Sequence, residues 1–143
     1  MLMDNIIIVA VKALIVYKGK TLIVQRSIGN NIAAGDWELA GGKLEFGESL
    51  EDGLKREIFE ETHLDVTIER LLFASSFQTH EYRQVVILNY LCYSKNNNVT
   101  ISSEHDDYKW VGKKTLKKHL SKNLIAKLEE HGVFEFVNID DED

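Results

Sequence analysis

Three glutamates are clustered in the segment "REIFEETHL", which runs from Arg56 to Leu64. Glu57, Glu60 and Glu61 follow one another at the spacing i, i+3 and i+4, so a helix would place their carboxylates along one stripe of its surface. Like charges at this spacing destabilise a helix unless cations neutralise them. Carboxylate oxygens suit Mg²⁺ or Mn²⁺, and Mg²⁺ is commonly held by a few carboxylates together with substrate phosphates. The stripe therefore indicates a metal site for a pyrophosphate group, and the alternative is a solvated acidic helix face.

The residues around the stripe predict the helix that carries it. Ser49 and Asp52 have the spacing of a capping box, with Asp in the place usually taken by Glu or Gln, so the helix should begin near Ser49. It should end near Thr62 or His63, because the segment that follows, "LDVTIERLLFASSFQTHE", returns to strand character. The apolar residues that give the helix one buried face are Leu50, Leu54, Ile58 and, less regularly, Phe59.

The rest of the chain alternates strand signals with one further helical region. The runs "IIIVAVKALIVY" and "TLIVQRS" predict a hairpin with Gly19 in its turn, and "RQVVILNYLCYS" is expected to pair with the strand after the first helix. "YKWV" is a further short strand, followed by a lysine-rich helix from about Thr115 to Glu130 that breaks near Ser121. We predict an α/β/α sandwich with a mixed central β-sheet, in which the two helical regions cover opposite faces.

Composition limits the classes of protein that fit. A chain of 143 residues has room for a single domain, 1–143, whose acidic end, 140–143, we expect to be frayed. The net charge of −6 argues against broad binding of nucleic acid or membrane surfaces. The only cysteine, Cys92, lies in an apolar run and is expected to be a buried structural thiol. Without a signal peptide or a membrane-spanning run, the expected location is cytoplasmic, and either a monomer or a homodimer is compatible with the sequence.

A longer motif surrounds the glutamate stripe. Read from Gly42, the chain resembles the Nudix box, G-x5-E-x7-R-E-U-x-E-E-x-G-U, where U is a bulky aliphatic residue, and it matches eight of the nine specified positions. The matching residues are Gly42, Glu48, Arg56, Glu57, Ile58, Glu60, Glu61 and Leu64. At the ninth position His63 replaces the glycine whose left-handed conformation ends the helix. His63 either adopts a positive φ, as histidine does more often than most residues, or keeps a negative φ and extends the helix.

The resemblance implies a metal-dependent hydrolase and assigns roles around the box. Glu57, Glu60 and Glu61 would hold two or three Mg²⁺ ions, with Mn²⁺ as an alternative, together with the Gly41 carbonyl and the loop acid Glu104. The base that accepts a proton from the attacking water would be either Glu57 or Glu104. Arg56 would also contribute to catalysis, by orienting a box glutamate. Gly42 and Glu48 would have structural roles in the box.

The resemblance also suggests residues that bind substrate. Arg26 and Lys43 would contact phosphates, Asn123 lies where related enzymes recognise a guanine base, and Tyr82 lies where some of them stack a base. His105 is either a proton shuttle or an ordinary surface histidine, and we favour the surface histidine.

The implied substrate is a small nucleotide rather than a nucleic acid. "WELAGGK" and Glu104 resemble the MutT-like branch, which hydrolyses a nucleoside triphosphate to the monophosphate and pyrophosphate, although that branch usually has proline where Ala40 stands. The alternatives are hydrolysis of ADP-ribose, a nucleotide sugar or a dinucleoside polyphosphate, and a noncatalytic nucleotide-binding module. The absence of proline counts modestly against ADP-ribose, and the intact carboxylates count against the noncatalytic module.

Overall fold

The β-branched runs predicted as strands form one mixed sheet in the computed structural model, which describes residues 4–29 and 33–143. In this part of the chain the strands are β1 (Ile6–Tyr17), β2 (Lys20–Arg26), β3 (Trp37–Glu38), β4 (Ala40–Lys43), β5 (Val66–His80), β6 (Arg83–Ser94) and β7 (His105–Val111). Their order is β3-β2-β1-β6-β5, with β4 also paired to β1 and β7 to β2. β1 and β6 are parallel, and the other pairs are antiparallel. The predicted β1–β2 hairpin and the predicted pairing of β5 with β6 are confirmed.

Helices cover both faces of the sheet because side chains alternate along the central strand. The helices are α1 (Leu50–Thr62), α2 (Lys113–His119), α3 (Lys122–Glu130) and α4 (Val133–Phe136). Val11, Ala13 and Ile15 of β1 pack in one apolar cluster with residues of α1. Leu14 and Val16 pack in the other cluster with residues of the C-terminal helices. The predicted α/β/α sandwich is confirmed, and so is the helix break near Ser121, which caps α3.

The two ends of α1 are fixed by short-range hydrogen bonds. The Asp52 backbone N–H donates to Ser49 Oγ over 3.1 Å, as the capping-box spacing predicts. His63 ends the helix in the left-handed conformation, with φ 60° and ψ 18°. Its backbone N–H donates to the Phe59 carbonyl over 2.9 Å, and its ring Nδ1 lies 3.1 Å from the Thr100 carbonyl. Histidine therefore takes the backbone role of the missing glycine, and the alternative of an extended helix is wrong.

The acidic segment 140–143, which was expected to be frayed, forms hydrogen bonds with the β1–β2 turn and with the start of α2. The Gly112 N–H donates to Asp143 Oδ1 over 2.7 Å, and the Thr115 hydroxyl donates to Asp143 Oδ2 over 3.0 Å. The Asp140 N–H donates to the Gly19 carbonyl over 2.8 Å. The carboxylate of Asp143 thus lies at the N-terminus of α2, where the helix dipole favours negative charge.

The single cysteine lies in the core, as expected. Cys92 is fully buried, and burial raises the pKa of its thiol to about 12, which agrees with a structural thiol. Among the described residues, no helix combines the length and the apolar character needed to cross a membrane.

Candidate active site

The helix α1 places its three box glutamates in different environments. Glu61 is buried, with 4% of its surface exposed, and its Oε1 accepts a hydrogen bond from the Gly41 N–H over 2.9 Å. Glu57 is partly buried, whereas the Glu60 side chain is 57% exposed. The exposure of the carboxylates therefore differs along the predicted stripe, from the buried Glu61 beside the sheet to the exposed Glu60 at the surface.

Two glycines of β4 allow the strand to approach these carboxylates. Gly41 has a φ of 140°, and a Cβ there would collide with the Val11 carbonyl. A Cβ at Gly42 would overlap the Glu57 carboxylate. Because only hydrogen occupies these positions, β4 packs closely against β1 at Gly41 and against α1 at Gly42.

Arg56 connects the loop before α1 to the glutamates on it. Its guanidinium donates two hydrogen bonds to Glu48, at 2.5 and 2.9 Å. Nη1 contacts Glu57 at 2.9 Å and Glu60 at 3.2 Å, and Nη2 donates to the Lys43 carbonyl over 3.1 Å. The hydrogen bond from Arg56, together with the backbone N–H of Glu45, lowers the pKa of Glu48 to about 2. This geometry supports the orienting role predicted for Arg56, because its donors are directed at carboxylates and a carbonyl of the protein.

Glu104, at the end of the loop before β7, and His105, the first residue of β7, lie at the buried end of the stripe. Glu61, Glu104 and His105 each offer one ligand atom, and these atoms all lie within 4.8 Å of one another. Glu104 was predicted to join a metal site with the box glutamates, and the structure places its carboxylate beside that of Glu61. The backbone contributes as well, since the Ser102 N–H donates to the Glu61 carbonyl over 3.2 Å.

The carboxylates at this site are costly to ionise without a cation. Burial, and then the neighbouring Glu104, raise the pKa of Glu61 to about 8 despite the opposing charge of Lys12 and the Gly41 N–H. Burial also raises the pKa of Glu57, with contributions from Glu60 and Glu104 that Arg56 opposes. Crowded oxygen donors with raised pKa values fit a hard divalent cation, which would stabilise their ionised forms.

The raised pKa of Glu61 predicts how stability depends on pH. Between its ordinary pKa of 4.5 and about 8, the folded state binds more protons than the unfolded state, so stability falls as pH rises through this window. In EDTA, the Tm of the protein should therefore drop more between pH 5 and pH 8 than the Tm of Glu61→Gln. Mg²⁺ should restore the Tm of the parent at pH 8. Glu60→Gln, at an exposed position of the same helix, is the matched control and should follow the parent; equal slopes in all three proteins would contradict the assignment.

A second network of charges lies beside the glutamate stripe and centres on Glu38. This side chain accepts hydrogen bonds from Lys12 at 3.2 Å, Arg26 at 3.3 Å and His105 Nε2 at 2.9 Å. Burial opposes ionisation of Glu38, but the hydrogen bond from His105 and the charges of Lys12 and Arg26 outweigh it and lower its pKa to about 2. Arg26, predicted as a phosphate ligand, is thus held next to the site by Glu38.

The expectation of a surface histidine at position 105 is wrong. Its side chain is 1% exposed, because His105 begins β7 and pairs with Arg26 across the sheet. The sequence predicted only the later part of this strand, "YKWV". The acidic residues Asp106 and Asp107 obscure the beginning of the strand, since they are uncommon in β-structure.

A cavity of about 590 Å³ lies between the sheet and α3. Its lining includes Lys12, Glu38, Phe73, Phe77, Asn89, Asn123 and Leu124. Asn123, predicted to contact a base, is therefore on its wall. In the sheet, Lys12 of β1 pairs with Gly41 of β4 on one side and with Asn89 of β6 on the other. Neighbouring strands are about 4.8 Å apart, so the cavity beside Asn89 and the candidate metal site beside Gly41 are separated by the width of these strands.

Asn89 is the functional candidate that the sequence reasoning missed. It is 4% exposed, and it lines the cavity between the sheet and α3. An asparagine amide on a cavity wall can donate to a ligand and accept from it. The available signal was its position as the one strongly polar residue in "VVILNYLCY".

Two predicted substrate contacts lie elsewhere. Tyr82 is in the turn between β5 and β6, and seven residues of extended strand, roughly 23 Å, separate it from Asn89. The structure therefore does not bring Tyr82 to the cavity. Lys43 is exposed at the end of β4, close to the glutamate stripe through its carbonyl contact with Arg56.

Comparisons with known proteins agree with the fold and the box. The NUDIX domain family matches residues 7–130. The chain is similar to the nucleoside triphosphatase NudI of Klebsiella pneumoniae, with 33% identity over 116 residues that cover 74% of this chain and 82% of that protein. It is also similar in structure to the MutT protein of Methanosarcina mazei Go1, with a TM-score of 0.81, 28% identity, and coverage of 94% of this chain and 99% of the other. The ORF135 protein of E. coli has a TM-score of 0.71 and 26% identity, and 92% of this chain and 93% of the other are covered.

Proposed function

Because the chain belongs to the Nudix family, we propose that it is a metal-dependent pyrophosphohydrolase that cleaves a nucleoside triphosphate to the monophosphate and pyrophosphate. The observation that carries this proposal is the buried Glu61 carboxylate beside Glu104, next to a cavity large enough for a nucleoside. The similarity to NudI supports a triphosphate over ADP-ribose, a nucleotide sugar or a dinucleoside polyphosphate.

The box residues would bind the cation and prepare the water. Glu57, Glu60, Glu61 and Glu104, with the Gly41 carbonyl, are the proposed ligands. A bound Mg²⁺ or Mn²⁺ would neutralise the diphosphate and lower the pKa of the attacking water. Glu57 is the proposed proton acceptor, because it is partly buried between Gly42 and Arg56, which fixes its orientation through Oε1.

The cavity would bind the nucleoside through Asn89 and Asn123. An asparagine amide both donates and accepts, so it can pair with the hydrogen-bonding edge of a base. Phe73 and Phe77 provide apolar area on the same wall. Lys12 lies between this cavity and Gly41, where its ammonium group favours negative charge from the phosphates.

Release of phosphate and pyrophosphate would test the proposal directly. A panel of nucleoside triphosphates, oxidised guanine nucleotides, ADP-ribose, nucleotide sugars and dinucleoside polyphosphates should be assayed with Mg²⁺, with Mn²⁺ and with chelator. We expect metal-dependent pyrophosphate release from a triphosphate. Turnover of another member of the panel would replace the substrate assignment. No turnover by folded, metal-loaded protein would reject the enzymatic proposal in favour of a noncatalytic module.

Replacement of Asn89 should weaken nucleotide binding and leave the chemical step intact. We expect Asn89→Leu to raise KM about tenfold, the loss of one to two hydrogen bonds, with kcat within about threefold of the parent. Steady-state kinetics on the best triphosphate provides the measurement. The matched control is Gln84→Leu, at an exposed position of the same strand, which should leave both constants unchanged. An unchanged KM in Asn89→Leu would remove Asn89 from the binding site.

A further inference from the structure

The His105 imidazole is fixed in one orientation by Glu38. Its Nε2 lies 2.9 Å from Glu38 Oε2, and Lys12 and Arg26 contact the same carboxylate at 3.2 and 3.3 Å. Two cations keep Glu38 ionised, and a carboxylate can only accept hydrogen bonds. Nε2 therefore donates to Glu38, and Nδ1 is the ring nitrogen that this contact leaves over.

His105 Nδ1 has no hydrogen-bond partner within the described residues. The His105 side chain is 1% exposed, and Nδ1 is a buried atom without a hydrogen bond. Leaving such an acceptor unsatisfied costs about 1–3 kcal/mol, so it indicates a ligand that the protein itself does not supply. One ring nitrogen of His105 belongs to the cluster with Glu61 and Glu104, and because Nε2 contacts Glu38, Nδ1 is the nitrogen left for a metal ion.

We propose that His105 is a direct metal ligand, whose Nδ1 joins carboxylate oxygens of Glu61 and Glu104 around one divalent cation. This inference rests on the proposed function, because it concerns the same site. Ligand atoms around one ion at about 2.1 Å lie at most about 4.2 Å apart. The three groups, within 4.8 Å of one another, need to close by only a few tenths of an ångström. The flexible side chain of Glu104, in an exposed loop position, can supply that movement.

A nitrogen ligand changes which metal the site prefers. Mg²⁺ favours oxygen ligands, whereas imidazole binds Mn²⁺, Co²⁺ and later transition metals more strongly. Glu38 would then be the outer partner that fixes the tautomer of a metal-binding histidine, an arrangement common in metal sites. The site should therefore bind Mn²⁺ more tightly than Mg²⁺, by a margin that depends on His105.

Pulsed EPR of Mn²⁺ bound to the full chain tests the inference without an activity assay. We expect a nitrogen coupling to the bound Mn²⁺ that changes when the protein is labelled with ¹⁵N-histidine. The coupling should disappear in His105→Gln and persist in the matched control His80→Gln, an exposed histidine outside the cluster. The ratio of Mg²⁺ to Mn²⁺ dissociation constants should fall at least about tenfold in His105→Gln, since one nitrogen ligand is lost.

Absence of histidine coupling in Mn²⁺-loaded parent protein would overturn the inference. This measurement on the labelled parent is decisive even if His105→Gln fails to fold. Histidine coupling in a protein that hydrolyses nothing in the nucleotide panel would support the ligand and reject the proposed function. Metal-dependent hydrolysis without histidine coupling would do the reverse.

Discussion

Replacement of Glu61 with glutamine is expected to lower kcat/KM for the best triphosphate about 10³-fold, a loss of roughly 4 kcal/mol of transition-state stabilisation. Glutamine keeps the size of the side chain and can still accept the Gly41 N–H, so the change removes the charge and little else. Glu61 is the most deeply buried of the box carboxylates and is beside Glu104. Its charge is therefore the least screened by water and the most valuable to a cation.

The matched control for this variant is Glu51→Gln, which makes the same chemical change at an exposed position in the first turn of the same helix. Its kcat/KM should stay within about twofold of the parent, as expected for a surface substitution. Thermal melts in EDTA should show that Glu61→Gln is at least as stable as the parent at pH 8. A large loss of activity without a loss of stability would identify a charge retained for function. Activity within a few-fold of the parent would remove Glu61 from the metal site.

The parts of the site that the sequence predicted correctly are governed by short-range geometry. The start of α1 follows from a hydrogen bond between Ser49 and Asp52, three residues apart. The relative positions of the box glutamates follow from the helical repeat. Even the substitution at His63 was interpretable, because the conformation it must adopt is set by the helix end itself and not by distant residues.

The parts that the sequence did not predict depend on strand register. The contact between His105 and Glu38 joins residues 67 positions apart, and it requires β2 to pair with both the two-residue strand β3 and the start of β7. A strand of two residues has no periodicity to detect. The contacts of the acidic segment 140–143 were not predicted for the same reason, since they depend on Asp143 lying at the N-terminus of α2.

Asn89 shows how a candidate binding residue can be overlooked in a well-predicted element. Its strand was identified correctly from its apolar character, and a single polar residue in such a run is compatible with an ordinary hydrogen bond in the core. Only the placement of β6 beside β1, with Asn89 next to Lys12, reveals that the amide faces a cavity.

Substitution of Gly41 by alanine is expected to impair stability and activity together. Alanine at a φ of 140° is strained, and its Cβ would collide with the Val11 carbonyl, a backbone atom of the central strand that cannot move away cheaply. Backbone strain and overpacking together should cost about 3 kcal/mol, which for a chain of this size lowers Tm by roughly 10 °C. Shifting β4 would also displace the N–H that holds Glu61, so kcat/KM should fall by more than tenfold in the protein that remains folded.

Gly47→Ala separates the two causes of this cost. Gly47 also has a positive φ, 89°, but a Cβ there meets no heavy atom within 4 Å. It should therefore show only the backbone strain, about 1 kcal/mol, with kcat/KM close to that of the parent. Equal losses in the two variants would mean that positive φ alone explains the Gly41 effect. A larger loss at Gly41, in melts and in kinetics measured at saturating metal, would show that the close contact between β4 and the central strand keeps Glu61 in position.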